Sequence, residues 1–394
     1  MLRVVVVSVF CALLAVLSIW WPVIQHQYYS RSDARGQWTQ PSEAQRTLWA
    51  ELAEMQVGIE VPFWERDLLA TAEQIQAGVI SLPEFGVNKM PLQSFAIDHR
   101  QGPATFQLAI ASLKLEDVLL KAYQQSYRKQ YLETAAARFA DFFAYHRQSY
   151  FSETFLRNDH AVAARVSVVL RLLYLIDSQQ LTDAALLRQA ALDFLADTVT
   201  LLREDRYYTA RTNHGYAQNL ALLQFATAFR AHPEAQILRD KALTRIRQQL
   251  DYYVSPEGII LEHSAGYHLF GDRLLSYTEK LIQLNQLDSS EISALYQKAQ
   301  QFSRLIIRPD GSVPSFGNTE LDARVPFVAT TAKEAGGHKT TSQLSVFPLA
   351  GYAVLQQPLP QLETQLHAVL AWSYFKNNGH KHADEMSLYL WAKD

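Results

Sequence analysis

Apolar residues recur at intervals of three and four positions through most of the chain before Arg308. This period matches one face of an α-helix and predicts successive helices of roughly 12 to 20 residues. Breaks such as Arg157-Asn158-Asp159, His232-Pro233 and Pro256-Glu257-Gly258 separate them. The pattern favours paired antiparallel helices; a helical repeat solenoid is an alternative, although no fixed repeat period is visible. The predicted helices are Thr105–Tyr127, Gln130–Tyr145, Ala161–Leu175, Leu181–Leu202, Tyr216–Phe229, Ala235–Tyr253, Tyr267–Leu284 and Ile292–Ile307.

The pattern changes after Pro309-Asp310-Gly311, where glycine and threonine become frequent and short β-prone runs follow. Three or four strands are too few for a sandwich that covers both of its faces. We therefore expect a fragment, or a second domain that is cut short. The predicted strands are Gly351–Gln356, His367–Trp372 and Met386–Trp391.

The N-terminus differs from the helical body. Residues 4–24 carry no charge, and such a run is long enough to cross a bilayer as a helix. Trp20 and Trp21 lie near its end, as aromatic anchors at a membrane interface do. Because no small-x-small cleavage site follows, we predict an uncleaved signal anchor in the inner membrane rather than a removed signal peptide. The basic flank at Arg3 then predicts that the body lies on the periplasmic, or another extracytoplasmic, side.

Composition narrows the class of protein further. With 48% hydrophobic and 19% charged residues, the chain has the composition of a folded protein with a large core. A net charge of −3 without a block of basic residues argues against nucleic acid as a partner. The single cysteine, Cys11, lies in the apolar N-terminal run. We therefore expect no disulfide framework, thiolate metal site or cysteine nucleophile in the body.

Two polar clusters precede predicted helices. Arg211-Thr212-Asn213-His214-Gly215 would place an amide, an imidazole and a positive charge at one helix start, although Asn also occurs there simply as a cap. Glu262-His263-Ser264, followed by Tyr267 and His268, is dense in titratable groups at another helix start. Tyr267 and His268 are alternatively core residues of an amphipathic helix.

Two further clusters are less specific. The segment 377–384 contains His380, His382 and Asp384, and its His-x-His-x-Asp spacing puts alternate side chains on one face of an extended chain. The other cluster is Asn158-Asp159-His160, followed by Arg165. Asp159 is a ready helix N-cap, so a structural role is at least as well supported as a role in a cleft.

In order along the chain, these segments resemble motifs of the heparinase II/III and alginate lyase families. Thr212-Asn213-His214-Gly215 with Leu220-Ala221-Leu222-Leu223 is similar to their Asn-His-Gly helix. Residues 262–268 are similar to their Glu-x-Ser-x-x-Tyr-His segment, and residues 379–390 to their Gly-His-x-His-x-Asp-x-x-Ser segment. Arg308-Pro309-Asp310-Gly311 through Gly317-Asn318-Thr319 also fits, except that the families usually have Gly-Asp where this chain has Gly317-Asn318.

The resemblance implies an α+β multidomain protein. We expect an N-terminal anchor or signal peptide (1–30), an (α/α) toroid of antiparallel helix pairs (42–325) and the truncated start of an antiparallel β-sandwich (340–394). The catalytic residues that the resemblance implies are Asn213, His214, Tyr267 and His380. The residues that we expect to bind substrate are Arg211, Glu262, His268, Asn158 and His160.

The resemblance implies no required cofactor. Some members hold a structural zinc in the sandwich, and His382 matches a position that can be a ligand. The other ligands would have to lie beyond Asp394, so we expect no metal in this chain.

The implied activity is β-elimination on a uronate-containing acidic polysaccharide. That reaction needs donors that neutralise the uronate carboxylate, a base at C5 and an acid at the leaving oxygen. Asn213, assisted by His380, suits the first role. His214 or Tyr267 is the expected base and Tyr267 the expected acid, and His214 and His380 exchange roles if the substrate has the opposite stereochemistry.

Two other functions stay open. A toroid-type glycoside hydrolase needs two carboxylates at the scissile bond. Glu262, Asp159 and Glu320 are available, but no paired motif organises them. A membrane-anchored polysaccharide-binding or assembly factor with an inactive cleft would fit the apparent anchor and the short β domain.

Overall fold

The computed structural model describes residues 41–58, 67–82, 86–89, 104–149, 154–178, 180–181, 184–308, 310–319, 323–325, 341–359, 364–372 and 382–392. The predicted signal anchor, residues 4–24, lies outside these ranges. Within them, no helix combines the length and the apolar character that a membrane span requires.

Helices make up most of the described chain up to Ile306, and a four-stranded sheet follows. One antiparallel pair of short strands, which the hydrophobic pattern did not predict, lies among the helices at Val79–Leu82 and Gly86–Lys89. The order predicted from the hydrophobic pattern, helices followed by strands, is therefore observed. The helices are α1 (Glu43–Ala53), α2 (Leu68–Gln76), α3 (Ala104–Ala111), α4 (Lys114–Ser126), α5 (Lys129–Ser149), α6 (Asp159–Asp177), α7 (Ala185–Leu202), α8 (Asn213–Ala228), α9 (Ala235–Tyr253), α10 (Ala265–Leu284) and α11 (Ser290–Ile306). The strands are β1 (Val79–Leu82), β2 (Gly86–Lys89), β3 (Gln343–Phe347), β4 (Tyr352–Leu359), β5 (Thr364–Ala371) and β6 (Ser387–Ala392).

The structure corrects one predicted helix. Thr105–Tyr127 is not continuous, because Leu113 between α3 and α4 has a φ of 61°, a left-handed conformation that an α-helix does not contain. Leu113 and Leu115 are both buried, so the apolar pattern continues across the break. The hydrophobic period alone could therefore not reveal it.

The described residues form two compact units. Of the described residues, the first unit contains 41–58, those between Asp67 and Tyr208, and Gln224–Leu238; the second contains Thr209–Leu223 and those from Arg239 onward. In the first unit α6 is buried along most of its length and packs against α1, α4 and α7. A helix that is covered on all sides is a core element, and α6 has that position in this unit.

An ion pair inside the first unit joins α6 to α4. Arg171 and Asp117 are almost completely buried, and Nε of Arg171 lies 3.0 Å from Oδ1 of Asp117. The second carboxylate oxygen of Asp117 lies 3.3 Å from Nζ of Lys121. Burial alone would raise the pKa of Asp117, but Arg171 and the neighbouring lysines lower it well below its usual range. The buried carboxylate is therefore stabilised as an anion by its cationic neighbours.

The second unit contains a four-stranded antiparallel sheet in the order β3-β4-β5-β6. One face packs on α11, where Tyr352, Val354 and Val369 join Phe302 and Ile306 in a buried core. The opposite face carries exposed aliphatic side chains on both outer strands. These side chains are Leu344 and Val346 on β3 and Leu388 and Leu390 on β6.

The buried ion pair predicts the cost of removing one partner. In Arg171→Met, Asp117 stays buried without its main cation, and we expect a loss of about 3 to 5 kcal/mol in the free energy of unfolding. Chemical denaturation of the full chain measures this loss. Arg128→Met is the matched control, because Arg128 pairs with Glu73 on the surface and both side chains are more than half exposed. Equal stability of the two variants would contradict the assigned role of Arg171.

Candidate active site

The first predicted cluster lies at the start of α8. Thr212, and not Asn213, supplies the cap: its Oγ1 accepts from the N–H of Gly215 at 3.0 Å, and its carbonyl accepts from the N–H of Tyr216 at 3.1 Å. Asn213 is the first residue of the helix and is buried, and His214 is half-buried. The amide of Asn213 is therefore not used as the helix cap.

The backbone before this helix is held by one glutamine. Arg211 has a φ of 63°, a left-handed conformation that is costly for a residue with a Cβ atom. Gln249, buried on α9, accepts from the N–H of Arg211 at 2.9 Å and donates to the carbonyl of Thr212 at 2.7 Å. The guanidinium of Arg211 lies 5.3 Å from the ring centre of Tyr252, also on α9. The arginine is thus fixed both through its backbone and through its side chain.

The second predicted cluster precedes α10. Ser264 caps this helix by accepting from the N–H of Tyr267. His263 has a φ of 50°, so a second left-handed residue stands directly before a helix of this unit. Glu262 is buried, and its Oε2 accepts from the hydroxyl of Tyr253 at 2.9 Å. Backbone strain at two such positions is typical of functional sites.

Electrostatic coupling brings the two clusters together. Burial raises the pKa of Glu262 to about 7, while the hydrogen bond from Tyr253 and the nearby His214 act to lower it. Burial and the Glu262 carboxylate raise the pKa of Tyr267, while a side-chain hydrogen bond from Asn318 lowers it. The Glu262 carboxylate is therefore linked electrostatically both to His214 and to the half-buried Tyr267.

His268 has a structural role in the second unit. It is 1% exposed; its Nδ1 accepts from the N–H of Ile260 at 3.2 Å, and its Nε2 lies 3.2 Å from the carbonyl of Ala299 and 3.1 Å from Oγ of Ser303. Both ring nitrogens are used within the protein. The local contacts of His268 are thus structural, and its predicted contact with substrate stays a prediction.

Asn158 and His160 belong to the first unit, at the start of α6. The cap of this helix is Asn158, which accepts from the N–H groups of His160 and Ala161, and not Asp159. His160 is 1% exposed, and its Nε2 lies 3.4 Å from the carbonyl of Val57. The local contacts of both side chains are thus structural, and their predicted contact with substrate stays a prediction.

The third predicted segment is described only from His382 onward, so His380 lies outside the described residues. His382 is exposed. Asp384 is tied to the rest of the unit: its Oδ2 accepts from the N–H of Gly317 at 2.6 Å, and its Oδ1 accepts from the hydroxyl of Tyr389 at 2.9 Å. Among the described residues, no three His, Cys, Asp or Glu side chains are grouped to hold a metal ion.

Sequence reasoning missed three residues of this site: Tyr253, Gln249 and Asn318. Gln249 lies three positions after the buried Ile246 and four before Tyr253, so it occupies the apolar stripe of α9. A polar residue on an apolar stripe is a signal that it has a buried partner. Asn318 is an exposed loop residue without such a stripe, and its signal was its place in the segment that resembles the families' Gly-Asp motif, to which no role was assigned.

Solved structures show the fold relationship. The crystal structure of heparinase III matches with a TM-score of 0.61 and 16% identity, covering 95% of this chain and 62% of that one. The heparan sulfate lyase HepC from Pedobacter heparinus matches with a TM-score of 0.56 and 13% identity, covering 89% and 59%. Another heparinase III structure gives 0.55 and 14%, covering 93% and 59%. This chain therefore spans about three fifths of the length of these proteins.

No protein-family model and no curated protein matches the chain by sequence. At these identities the structural likeness shows the fold alone, which is that of the polysaccharide lyase heparinase III. The predicted fold class, an (α/α) toroid of helix pairs followed by an antiparallel β domain, is confirmed.

The burial of His268 predicts how stability depends on pH. Burial lowers the pKa of His268 from 6.5 to about 4. As the pH falls from 6.5 to 4, the unfolded chain binds the proton before the folded chain does. The free energy of unfolding therefore decreases by up to about 3 kcal/mol. In His268→Gln this contribution is absent. We therefore expect the stability difference between wild type and variant to shrink as the pH falls from 7 to 4.

Urea denaturation at a series of pH values measures that difference. A difference between wild type and His268→Gln that stays constant over the whole pH range would show that His268 does not titrate as its burial implies.

Proposed function

We propose that this chain is a polysaccharide lyase that cleaves a uronate-containing acidic polysaccharide by β-elimination. The observation that carries the proposal is the half-buried Tyr267 at the start of α10, whose pKa the Glu262 carboxylate raises; His214 acts in turn on Glu262. The fold shared with heparinase III and with HepC, which is named as a heparan sulfate lyase, supports this reaction class.

The reaction has two proton transfers, one from carbon to a base and one from an acid to the leaving oxygen, and it breaks one carbon–oxygen bond. A base takes the C5 proton of the uronate, and the electron pair of the C5–H bond forms a double bond between C4 and C5. The C4–O bond breaks, and the departing sugar oxygen takes a proton from an acid. Negative charge that accumulates on the uronate carboxylate has to be neutralised by hydrogen-bond donors.

The proton roles follow from the surroundings of the side chains. Because burial and Glu262 raise the pKa of Tyr267, its resting form at neutral pH is the phenol, which suits the acid. His214 lies beside Glu262 and is the candidate base for that resting form. If a cation lowers the pKa of Tyr267 in the complex, its phenolate takes the base role as well.

The neutralising role suits Asn213, whose amide is not engaged as the cap of α8. His380, which lies outside the described residues, is proposed to assist it. Arg211 adds a positive charge two residues away, as an anionic polymer requires. Because the pKa of Glu262 is raised to about 7, this side chain carries only part of its negative charge at neutral pH, which reduces its repulsion of a polyanion.

A glycoside hydrolase is the second candidate. The raised pKa of Glu262 is what a general acid of such an enzyme needs. Hydrolysis makes new reducing ends without a conjugated double bond, so the two reactions have different products.

The uncharged run at residues 4–24 further leads us to propose an extracytoplasmic location for either activity.

The first experiment is an absorbance screen of the full-length gene product without residues 1–40. The protein is tested against a series of uronate-containing polysaccharides. A uronate polymer that is cleaved by elimination gives a rise at about 230 to 235 nm, and Tyr267→Phe should slow that rise by about 100-fold to 10,000-fold because it removes a proton-transferring group. Tyr296→Phe is the matched control, since Tyr296 is a half-buried tyrosine of α11 whose hydroxyl accepts from Gln300.

Full activity of Tyr267→Phe would exclude the proposed role of Tyr267. Reducing ends that form without the absorbance rise would favour the hydrolase. Binding of a uronate polymer by folded protein that releases neither product would favour the non-enzymatic binding factor.

The two hydrogen bonds of Gln249 to the backbone of Arg211 and Thr212, here called the Gln249 clamp, give a second prediction. Gln249→Leu removes both hydrogen bonds to the loop of Arg211 and Thr212, so Arg211 and Asn213 should lose their positions. We expect kcat to fall by about tenfold to 100-fold, because a displacement of about 1 Å near the reacting atoms has effects of that size. Gln248→Leu is the control at the neighbouring, exposed position. Equal kcat in the two variants would contradict the clamp.

A further inference from the structure

A short loop of the second unit lies against the start of α10. Gly317 has a φ of 59°, a left-handed conformation that favours glycine. The turn at this glycine places Asn318 next to Tyr267. Asn318 is exposed and hydrogen-bonds through its side chain with Tyr267, which is half-buried. An uncharged amide is thus a hydrogen-bonding neighbour of the tyrosine.

The loop is fixed at both ends of Asn318. On one side, Oγ1 of Thr319 lies 2.8 Å from Oγ of Ser264 and accepts from the N–H of Gly266 at 3.0 Å. On the other side, the N–H of Gly317 donates to the carboxylate of Asp384 at 2.6 Å. Asn318 is therefore held between the cap of α10 and the segment that leads into β6.

We propose that Asn318 is a positioning residue for Tyr267: the loop contacts of Gly317 and Thr319 hold its side-chain amide where it donates to the tyrosine oxygen and orients the ring at the start of α10. This inference rests on the proposed function in assigning Tyr267 to the reaction. The contact between Asn318 and Tyr267 does not depend on that function, and the titration of Tyr267 detects the contact directly.

The chemistry of the amide distinguishes this role from simple packing. An N–H donor stabilises the phenolate oxygen, whereas a carboxylate at the same position would repel it. The other groups that face Tyr267 act in the opposite direction, since Glu262 and burial raise its pKa and Tyr253 lies within the same electrostatic group. His214 faces Glu262 from α8. Asn318 is therefore the neighbour that counteracts these effects at the tyrosine oxygen.

The test follows the ionisation of Tyr267 in the full chain. Tyrosine labelled with ¹³C at Cζ gives a signal that moves on ionisation, and Tyr267→Phe identifies the signal of Tyr267 by its loss. The titration is then repeated in Asn318→Asp and Asn318→Ala. Asn285→Asp is the matched control, because it makes the same chemical change at the other end of α10.

We expect Asn318→Ala to raise the pKa of Tyr267 and Asn318→Asp to raise it further, by about one unit or more, because the second variant adds a negative charge to the loss of the donor. One unit corresponds to a tenfold smaller phenolate fraction. Where a uronate polymer is cleaved, the pH profile of kcat should move in the alkaline direction by the same amount, with Asn285→Asp unchanged.

An unchanged titration of Tyr267 in Asn318→Asp would overturn the proposal. A rise in Asn318→Asp with Asn318→Ala unchanged would also overturn it, since the effect would then come from charge alone. The absence of cleavage of any polymer would contradict the proposed function and leave the titration result standing, so the two failures are distinguishable.

Discussion

A helix that buries a polar or charged side chain must give that group a partner, because its removal from water otherwise costs several kcal/mol. The first unit meets this constraint with the pair of Arg171 and Asp117, which joins α6 to α4. The second unit meets it with His268, whose two ring nitrogens are both engaged. Polar partners thus fix which helix faces can meet, where apolar side chains alone would allow several packings.

The same constraint builds the candidate site. Gln249 is buried and hydrogen-bonds the peptide groups of Arg211 and Thr212, so the helix that buries it also fixes the loop before α8. Glu262 is buried and bonded by Tyr253, which sets its position relative to α9. The side chains proposed to act on substrate are consequently held by side chains that are not, an arrangement that would preorganise such a site.

The sequence predicts those parts of the structure that depend on local periodicity. The long apolar repeats locate α5 to α11, and the clusters before Tyr216 and Tyr267 lie at helix starts as expected. The break at Leu113 escapes prediction because its cause is a backbone conformation, and the flanking side chains stay buried. Gln249 and Asn318 escape it because their function depends on residues distant in the chain, and a single sequence does not record such contacts.

The left-handed backbone at Arg211 and His263 has a consequence for the evolution of this chain. Glycine adopts this conformation without the cost, about 1 to 2 kcal/mol, that a Cβ atom incurs. Under selection for folding alone, both positions would therefore drift toward glycine. Leu113 keeps the same conformation outside the site, so it is the reference: glycine at Arg211 and His263 but not at Leu113 would mark lineages in which only the scaffold is kept.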